Sequence, residues 1–141
     1  FQLIKGGGAA LLREKIVAQQ SAAMVVVADD RKEVETLGAF PLPIEITPFS
    51  HGITIERISQ ELGCQVTLRN VSGDTLTTDN GNYIADAHTG PNITDPSSCE
   101  KALLQIAGVV QVGLFINMCD VVILASENGI RTLTKPDGRL S

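Results

Sequence analysis

Residues able to do acid–base chemistry gather near the start of the chain, around three consecutive glycines. Lys5 directly precedes Gly6, Gly7 and Gly8, and Glu14 follows within a run of helix-forming residues. Consecutive glycines let a backbone approach a ligand closely, and a helix N-terminus offers free N–H groups with a partial positive charge. Oxygen-rich or anionic ligands suit such a place, although most glycine triplets only reverse the chain tightly.

Glu14 is the candidate general base. Projection of residues 9–20 at 3.6 residues per turn places its side chain on the apolar side of the predicted helix. Burial there would favour the neutral carboxyl group and suit it to proton transfer near neutral pH. An ion pair with Arg13, with Lys15 or with a residue outside this chain explains the position equally well.

Two lysines are candidates for holding a substrate oxygen or a phosphate. Lys5 ends a predicted strand, and Lys32 lies just past the C-terminal end of the next strand, where open α/β sheets bind their ligands. An ammonium group acts there as a point charge. Either residue could equally be an ordinary solvated lysine, and position alone favours that interpretation for Lys32.

The elements that position these residues form a strand, a glycine turn, a helix and a second strand. We interpret residues 1–28 as a βαβ unit. Its second strand, Met24–Ala28, has no polar alternation, which is typical of a parallel strand covered on both faces.

A second lobe begins at Phe40–Pro43, where two prolines exclude a helix. The pattern that follows predicts the order β-α-β-β-α-β, which is ferredoxin-like. Its predicted parts are a strand at 44–47, a helix ending at Gly63, a strand at 64–69, a hairpin with a type I′ turn at Asn80-Gly81, a helix from Asp95-Pro96 to Gly108, and a strand at 109–115.

The last elements are two short strands, 121–125 and 130–133, which we expect to rejoin the sheet of the first lobe. The predicted fold is therefore α/β. A partial Rossmann-like parallel-sheet lobe, residues 1–39 and 116–141, carries an inserted ferredoxin-like α+β lobe, residues 40–115. Ferredoxin-like lobes also serve as regulatory or oligomerising modules, so that role stays open for residues 40–115.

Composition excludes several classes of protein. The 141 residues carry a net charge of −5 without a Lys/Arg block, which argues against nucleic acid or an anionic membrane as a partner. Apolar runs such as 121–125 are too short to span a bilayer. Three widely spaced cysteines with no CxxC motif are typical of reduced thiols in a cytoplasmic protein, and they make no zinc set.

The segment from Ile4 to Ile16 closely resembles the KGGGAALTREKI segment of type A ribose-5-phosphate isomerases. Further motifs of that family recur in the same order over essentially the whole chain. They are Ala28-Asp29 with Lys32, Leu37-Gly38, Phe40 to Glu45, Thr78 to Asn82, Asp95-Pro96, and Gly108 to Phe115.

The resemblance implies a metal-independent interconversion of ribose 5-phosphate and ribulose 5-phosphate through an enediol, without a cofactor. Glu14 matches the family's general base, and Lys5, Lys32 and the three glycines Gly6, Gly7 and Gly8 match its substrate-binding residues. A cytoplasmic homodimer or homotetramer is implied as well. Leu12 and Arg31 replace the threonine and serine that are frequent in the family, but neither matches a functional position.

The resemblance also implies that two family loops, Gly-Thr-Gly-Ser-Thr and Asp-Gly-Ala-Asp-Glu, would precede Phe1. We therefore expect this chain alone not to isomerise efficiently. The alternative is a non-catalytic domain of a transcriptional regulator that senses sugar phosphates, because related α/β folds bind phosphosugars without turning them over.

Overall fold

The computed structural model describes residues 1–140, which contain three α-helices and eleven strands. In chain order they are β1 (Leu3–Ile4), α1 (Leu11–Gln20), β2 (Val25–Asp29), β3 (Leu42–Ile46), α2 (His51–Leu62), β4 (Val66–Leu68), β5 (Asn70–Val71), β6 (Asp74–Thr75), β7 (Tyr83–Ala87), α3 (Pro96–Leu104), β8 (Val109–Val112), β9 (Leu114–Phe115), β10 (Val121–Ser126) and β11 (Gly129–Thr134). A 3-10 turn, Asp30–Lys32, follows β2.

The middle of the chain forms a four-stranded sheet with the order β4-β7-β3-β8, and all neighbouring strands are antiparallel. Leu42, Ile44 and Ile46 of β3 lie in the main hydrophobic core together with Ile58 of α2 and Leu103 of α3. All five residues of β3 are buried, because the opposite face of the sheet is covered too, in part by α1. The predicted helices and strands of this region are present, but a further short hairpin, β5 and β6, lies between β4 and β7.

The ends of the two helices in this region follow from local chemistry. Asp95 accepts a hydrogen bond from the Ser98 N–H group at 3.1 Å, and Pro96 occupies the first helical position. Gly63 ends α2 with a φ of +64°, a left-handed conformation that glycine adopts without strain. Both predicted caps are confirmed, although α3 ends at Leu104 rather than at Gly108.

The predicted type I′ turn at Asn80-Gly81 is wrong. Such a turn needs a positive φ at both central residues, and of these two only Gly81 has one. The Gly81 N–H donates to the Thr78 carbonyl, so the loop is a tight turn closed at Thr78. The left-handed pair lies instead at Ser72-Gly73, between β5 and β6.

The two ends of the chain share a second sheet, with the order β11-β10-β2. As predicted, the C-terminal hairpin joins the first lobe, because β10 runs parallel to β2. The predicted βαβ unit is wrong in its pairing, since β1 pairs with β9 and not with β2. Gly113 interrupts the predicted strand 109–115, and this break lets β9 leave the four-stranded sheet and reach β1.

The strand β2 is not covered on both faces within this chain, contrary to the prediction. Val25 is 50% and Val27 is 70% exposed, and β2 is an edge strand. No helix among residues 1–140 combines the length and the hydropathy needed to cross a membrane.

Candidate functional site

The glycine loop lies between β1 and α1, and tight packing requires glycine at its first position. Gly6 is buried with a φ of +113°, and a Cβ atom there would lie 2.8 Å from Leu11 and 3.0 Å from Pro43. A Cβ on Gly8 would meet nothing within 4 Å. Gly6 is thus explained by the fold, whereas Gly8 leaves open space beside the backbone.

A side chain from the four-stranded sheet orients this loop. The Arg69 guanidinium donates to the carbonyl oxygens of Gly6 and Gly7, at 2.9 and 3.1 Å. Asp86 holds the same guanidinium through two further hydrogen bonds, at 2.8 and 2.6 Å. Because C=O and N–H point in opposite directions across a trans peptide, the N–H groups of Gly7 and Gly8 face away from Arg69. Within residues 1–140 neither of these N–H groups has a protein acceptor.

Lys5 and Glu14 meet beside the loop. The Lys5 ammonium lies 3.1 Å from Glu14 Oε2, and the two side chains are 31% and 43% exposed. The backbone N–H of Lys5 donates to the Gly113 carbonyl at 2.8 Å, and its ammonium lies 5.8 Å from the centre of the Phe115 ring. The two candidate residues are therefore brought into direct contact.

The expectation that Glu14 is buried on the apolar side of its helix is wrong, because its side chain is 43% exposed. Glu14 lies three residues after Leu11 and four before Ala18, so it borders the buried face of α1, which consists of Leu11, Lys15 and Ala18. Of the two explanations considered for Glu14, the structure shows an ion pair. Its partner is Lys5 rather than Arg13 or Lys15.

Lys15 occupies the place expected for an apolar residue. It is 3% exposed, and its ammonium donates to Glu100, to Gln111 and to the Val112 carbonyl at 2.9, 2.9 and 2.6 Å. Burial lowers the pKa of Lys15 below its ordinary value, and the hydrogen bond and charge of Glu100 oppose that shift. These three acceptors satisfy the buried cation, which would otherwise destabilise the fold.

Lys32 lies apart from this pair. It ends the 3-10 turn after β2 and is exposed, and its side chain forms no hydrogen bond or ion pair within the described residues. Asp29 caps the same turn and binds Arg31, whose guanidinium lowers the pKa of that carboxyl to about 2. The structure thus brings together Lys5, the glycine loop and Glu14, but shows no contact between them and Lys32.

A shallow hollow of about 580 Å³ opens beside Asp29, at the carboxyl ends of β2 and β10. Residues 29–31 and 125–128 line it, and neither Glu14 nor Lys5 does. In the described part of the chain, no group of three or more His, Cys, Asp or Glu side chains is arranged to hold a metal ion.

Comparison with known proteins identifies the family of this chain. The model of the family "ribose 5-phosphate isomerase A (phosphoriboisomerase A)" matches residues 1–129. The chain belongs to this family. Its resemblance to type A ribose-5-phosphate isomerases is thereby confirmed, and the alternative of a regulator domain is not supported.

Individual members of the ribose 5-phosphate isomerase A family are similar over most of the chain. The Bacillus cereus enzyme is 55% identical over 131 residues, which are 93% of this chain and 59% of that protein. The Plasmodium falciparum structure matches with a TM-score of 0.91 and 35% identity, over 96% of this chain and 60% of the other. A third isomerase structure, in complex with phospho-erythronic acid, has a TM-score of 0.88 and 39% identity, over 95% and 59%. This chain thus spans about three-fifths of the length of these relatives.

Sequence reasoning missed the residues that support the isomerase-family site from the second lobe. Arg69 lies just after β4 and belongs to no motif, and Glu45 enters the sequence analysis only as the last residue of a family motif, without a role. Lys15, in α1, is considered there only as a partner of Glu14. A useful signal was available for Glu45. It stands between two isoleucines in a strand with prolines nearby, and the segment Thr78–Asn82 supplies polar partners for one oxygen of this buried carboxylate, Oε1.

Proposed function

We propose that the protein containing this chain interconverts ribose 5-phosphate and ribulose 5-phosphate, with Glu14 as the general base. In this reaction the carboxylate removes the proton from C2 of the aldose, and negative charge develops on O1 of the resulting enediolate. The hydroxyl proton of O2 passes to O1 through the enediol, and the proton held by the carboxyl group is delivered to C1 to give the ketose. The contact between Glu14 and Lys5 beside the glycine loop, in a member of this family, is the observation that carries the proposal. Lys5 is suited to stabilise the substrate oxygen on which negative charge develops.

The remaining substrate contacts are assigned on the same basis. The Gly7 and Gly8 N–H groups lack protein acceptors, so they are suited to bind sugar or phosphate oxygens. Gly6 would contribute by shaping the loop, and Lys32 is an exposed cation without a partner in the described chain. In support, a relative of known structure is described in complex with phospho-erythronic acid, a phosphorylated sugar acid.

We further propose the division into two lobes made from the sequence. Residues 40–115 would be a ferredoxin-like lobe, and the strand order β4-β7-β3-β8 with antiparallel neighbours supports this. Residues 1–39 and 116–141 would be part of a Rossmann-like lobe, which the parallel pair β2 and β10 supports. A cytoplasmic homodimer or homotetramer remains the expectation from the family resemblance.

The isolated 141 residues are expected to isomerise poorly. The chain spans only 59% of the Bacillus cereus relative, and Val25 and Val27 expose apolar surface that a complete α/β sheet would cover. Efficient turnover by the isolated chain would contradict this part of the proposal.

The deciding experiment is Glu14→Gln in a full-length version of the protein, assayed with ribose 5-phosphate. Loss of a general base should lower kcat by about 10²–10⁴-fold while the fold is retained. Glu56→Gln, which alters an exposed glutamate of α2, is the matched control and should leave kcat unchanged. Near-normal activity of Glu14→Gln would remove Glu14 as the base. Dialysis against EDTA should not alter the rate, because no step requires a metal ion.

A further inference from the structure

A fully buried carboxylate lies on the side of the four-stranded sheet that faces the glycine loop and α1. Glu45 belongs to the central strand β3 and is 0% exposed. Its neighbours Ile44 and Ile46 point into the main hydrophobic core, so the alternation of a strand turns Glu45 to the opposite face. A buried carboxylate destabilises a fold unless it is hydrogen-bonded, so this position calls for an explanation.

The turn Thr78–Asn82 surrounds one oxygen of this carboxylate. Glu45 Oε1 accepts hydrogen bonds from the Thr78 hydroxyl and from the side-chain amides of Asn80 and Asn82, at 2.9, 3.0 and 3.0 Å. The Thr78 hydroxyl also accepts from the backbone N–H groups of Asn80 and Asn82. Glu45 therefore fixes the conformation of the whole turn from beneath.

The outer side of the same turn holds α1. The Asn80 side chain donates to Glu45 through Nδ2, and its Oδ1 accepts from Arg13 Nε at 3.0 Å. Arg13 Nη2 also donates to the Asp79 carbonyl at 3.0 Å. A continuous set of hydrogen bonds thus leads from the buried Glu45 to the residue that immediately precedes Glu14.

The residue that follows Glu14 is fixed to the same sheet. Lys15 binds the Val112 carbonyl and Gln111 in β8, together with Glu100. Glu14 is therefore flanked by two cations, Arg13 and Lys15, whose anchors lie in the second lobe. Both neighbours of Glu14 are thus anchored, and the Glu14 carboxylate itself contacts Lys5.

We propose that Glu45, acting through Asn80 and Arg13, is a positioning residue for the general base Glu14. This inference rests on the proposed function, because it assigns Glu45 a part in the same reaction. Proton transfer requires the base to be within hydrogen-bond reach of the substrate proton, and a misplacement of about 1 Å can lower the rate about 10²-fold. Glu45 does not touch the substrate in this scheme, so its loss should impair catalysis more than binding.

The test uses Asn80→Ala in the full-length protein. Asn80 is exposed, so this substitution interrupts the hydrogen bonds between Glu45 and Arg13 without creating a cavity in the core. We expect kcat to fall about 10- to 100-fold with KM changed less than about twofold. The primary isotope effect with ribose 5-phosphate deuterated at C2 should rise, because proton transfer becomes more rate-limiting. Asn70→Ala, at the exposed hairpin of β5 and β6, is the matched control and should change none of these quantities.

Two further variants test the origin of the effect. Glu45→Gln retains one acceptor oxygen for the turn and should largely preserve kcat, whereas Glu45→Ala should behave like Asn80→Ala. The effects of Asn80→Ala and Arg13→Ala on kcat should be non-additive, because both substitutions interrupt the same series of hydrogen bonds. If Glu45→Ala does not fold, the Asn80→Ala and Arg13→Ala variants still test the positioning role.

The possible failures are distinguishable. If Glu14→Gln abolishes turnover but Asn80→Ala keeps the kcat and isotope effect of the parent protein, the positioning role is refuted and the proposed function stands. A lower melting temperature of Asn80→Ala with unchanged kcat would likewise reduce Glu45 to a structural role. Near-normal turnover by Glu14→Gln would refute the proposed mechanism itself.

Discussion

The strands β2 and β3 have similarly apolar sequences but very different surroundings. All five residues of β3 are buried, between the core with α2 and α3 on one face and α1 with the Thr78–Asn82 turn on the other. In β2, Val25 and Val27 are half or more exposed. The residues around β3 therefore complete a core within this chain, whereas β2 leaves apolar side chains exposed.

This difference shows that the apolar sequence of a strand does not by itself predict how much of the strand is buried. The second lobe is contiguous and antiparallel, so its neighbours in space come from nearby sequence. The parallel sheet needs strands from distant parts of the chain. This chain spans 59% of the length of its Bacillus cereus relative.

The largest effect expected from this comparison concerns core truncation in the isolated chain. Ile44→Ala, in β3, should reduce the free energy of unfolding by about 2–5 kcal/mol, because the side chain is fully buried. Val27→Ala, in β2, should cost less than about 1 kcal/mol. Urea denaturation measures both. Equal costs would show that β2 is covered in solution, and repeating the measurement at several protein concentrations would reveal self-association as the cause.

A smaller effect is expected where the two lobes join. A Cβ on Gly113 would lie 2.3 Å from the Lys5 carbonyl and 2.7 Å from the Pro43 carbonyl, so Gly113→Ala must separate two backbone segments. We expect a loss of about 1–3 kcal/mol in stability. Gly8→Ala has open space around it and should leave stability within about 0.5 kcal/mol, yet raise KM in the full-length protein. A normal KM for Gly8→Ala would argue against a substrate contact at that glycine.

The smallest effect concerns pH and the first lobe. Asp120 binds Arg139 and the Met24 N–H group, and these contacts lower the pKa of Asp120 to about 2. Because the unfolded chain takes up this proton first, near the ordinary value of 3.8, the stabilisation is complete above that pH and is lost as the pH falls toward 2. The difference in melting temperature between the parent chain and Asp120→Asn should therefore shrink between pH 5 and pH 2. A difference that stays constant over this range would exclude the contribution.

The order of elements could be predicted from sequence because the caps and turns have local causes. Asp95-Pro96 and Gly63 act within a few residues, and their predicted roles are confirmed. Strand pairing depends on distant residues, which is why the exchange of β2 for β9 as the partner of β1 was not foreseen. The turn at Asn80-Gly81 was mistaken for a hairpin turn because Glu45, 35 residues away, determines its shape.

Only part of the predicted site is brought together in the structure, since Lys32 lies apart from the other predicted residues. Lys5, Gly6 and Glu14 do lie together, since they are close in sequence and joined by one turn. Their surroundings depend on residues 69–112, because Arg69 donates to the loop carbonyls and Lys15 is held by Glu100, Gln111 and Val112. Helical periodicity alone could not reveal that a lysine, rather than a glutamate, would be buried.

The parallel pairing of β2 with β10 has a consequence for the order of folding. Met24 and Asp120, which bond at the start of these strands, are 96 positions apart, so closing this loop in an unfolded chain is entropically costly. The second lobe lies between them, and it pairs its own first and last strands at Ile44 and Val112. Once it has folded, the chain segments that lead to β2 and β10 start from neighbouring strands. The loop that must still close to pair β2 with β10 is then effectively shorter. We therefore expect the second lobe to form early and the parallel pair to assemble last.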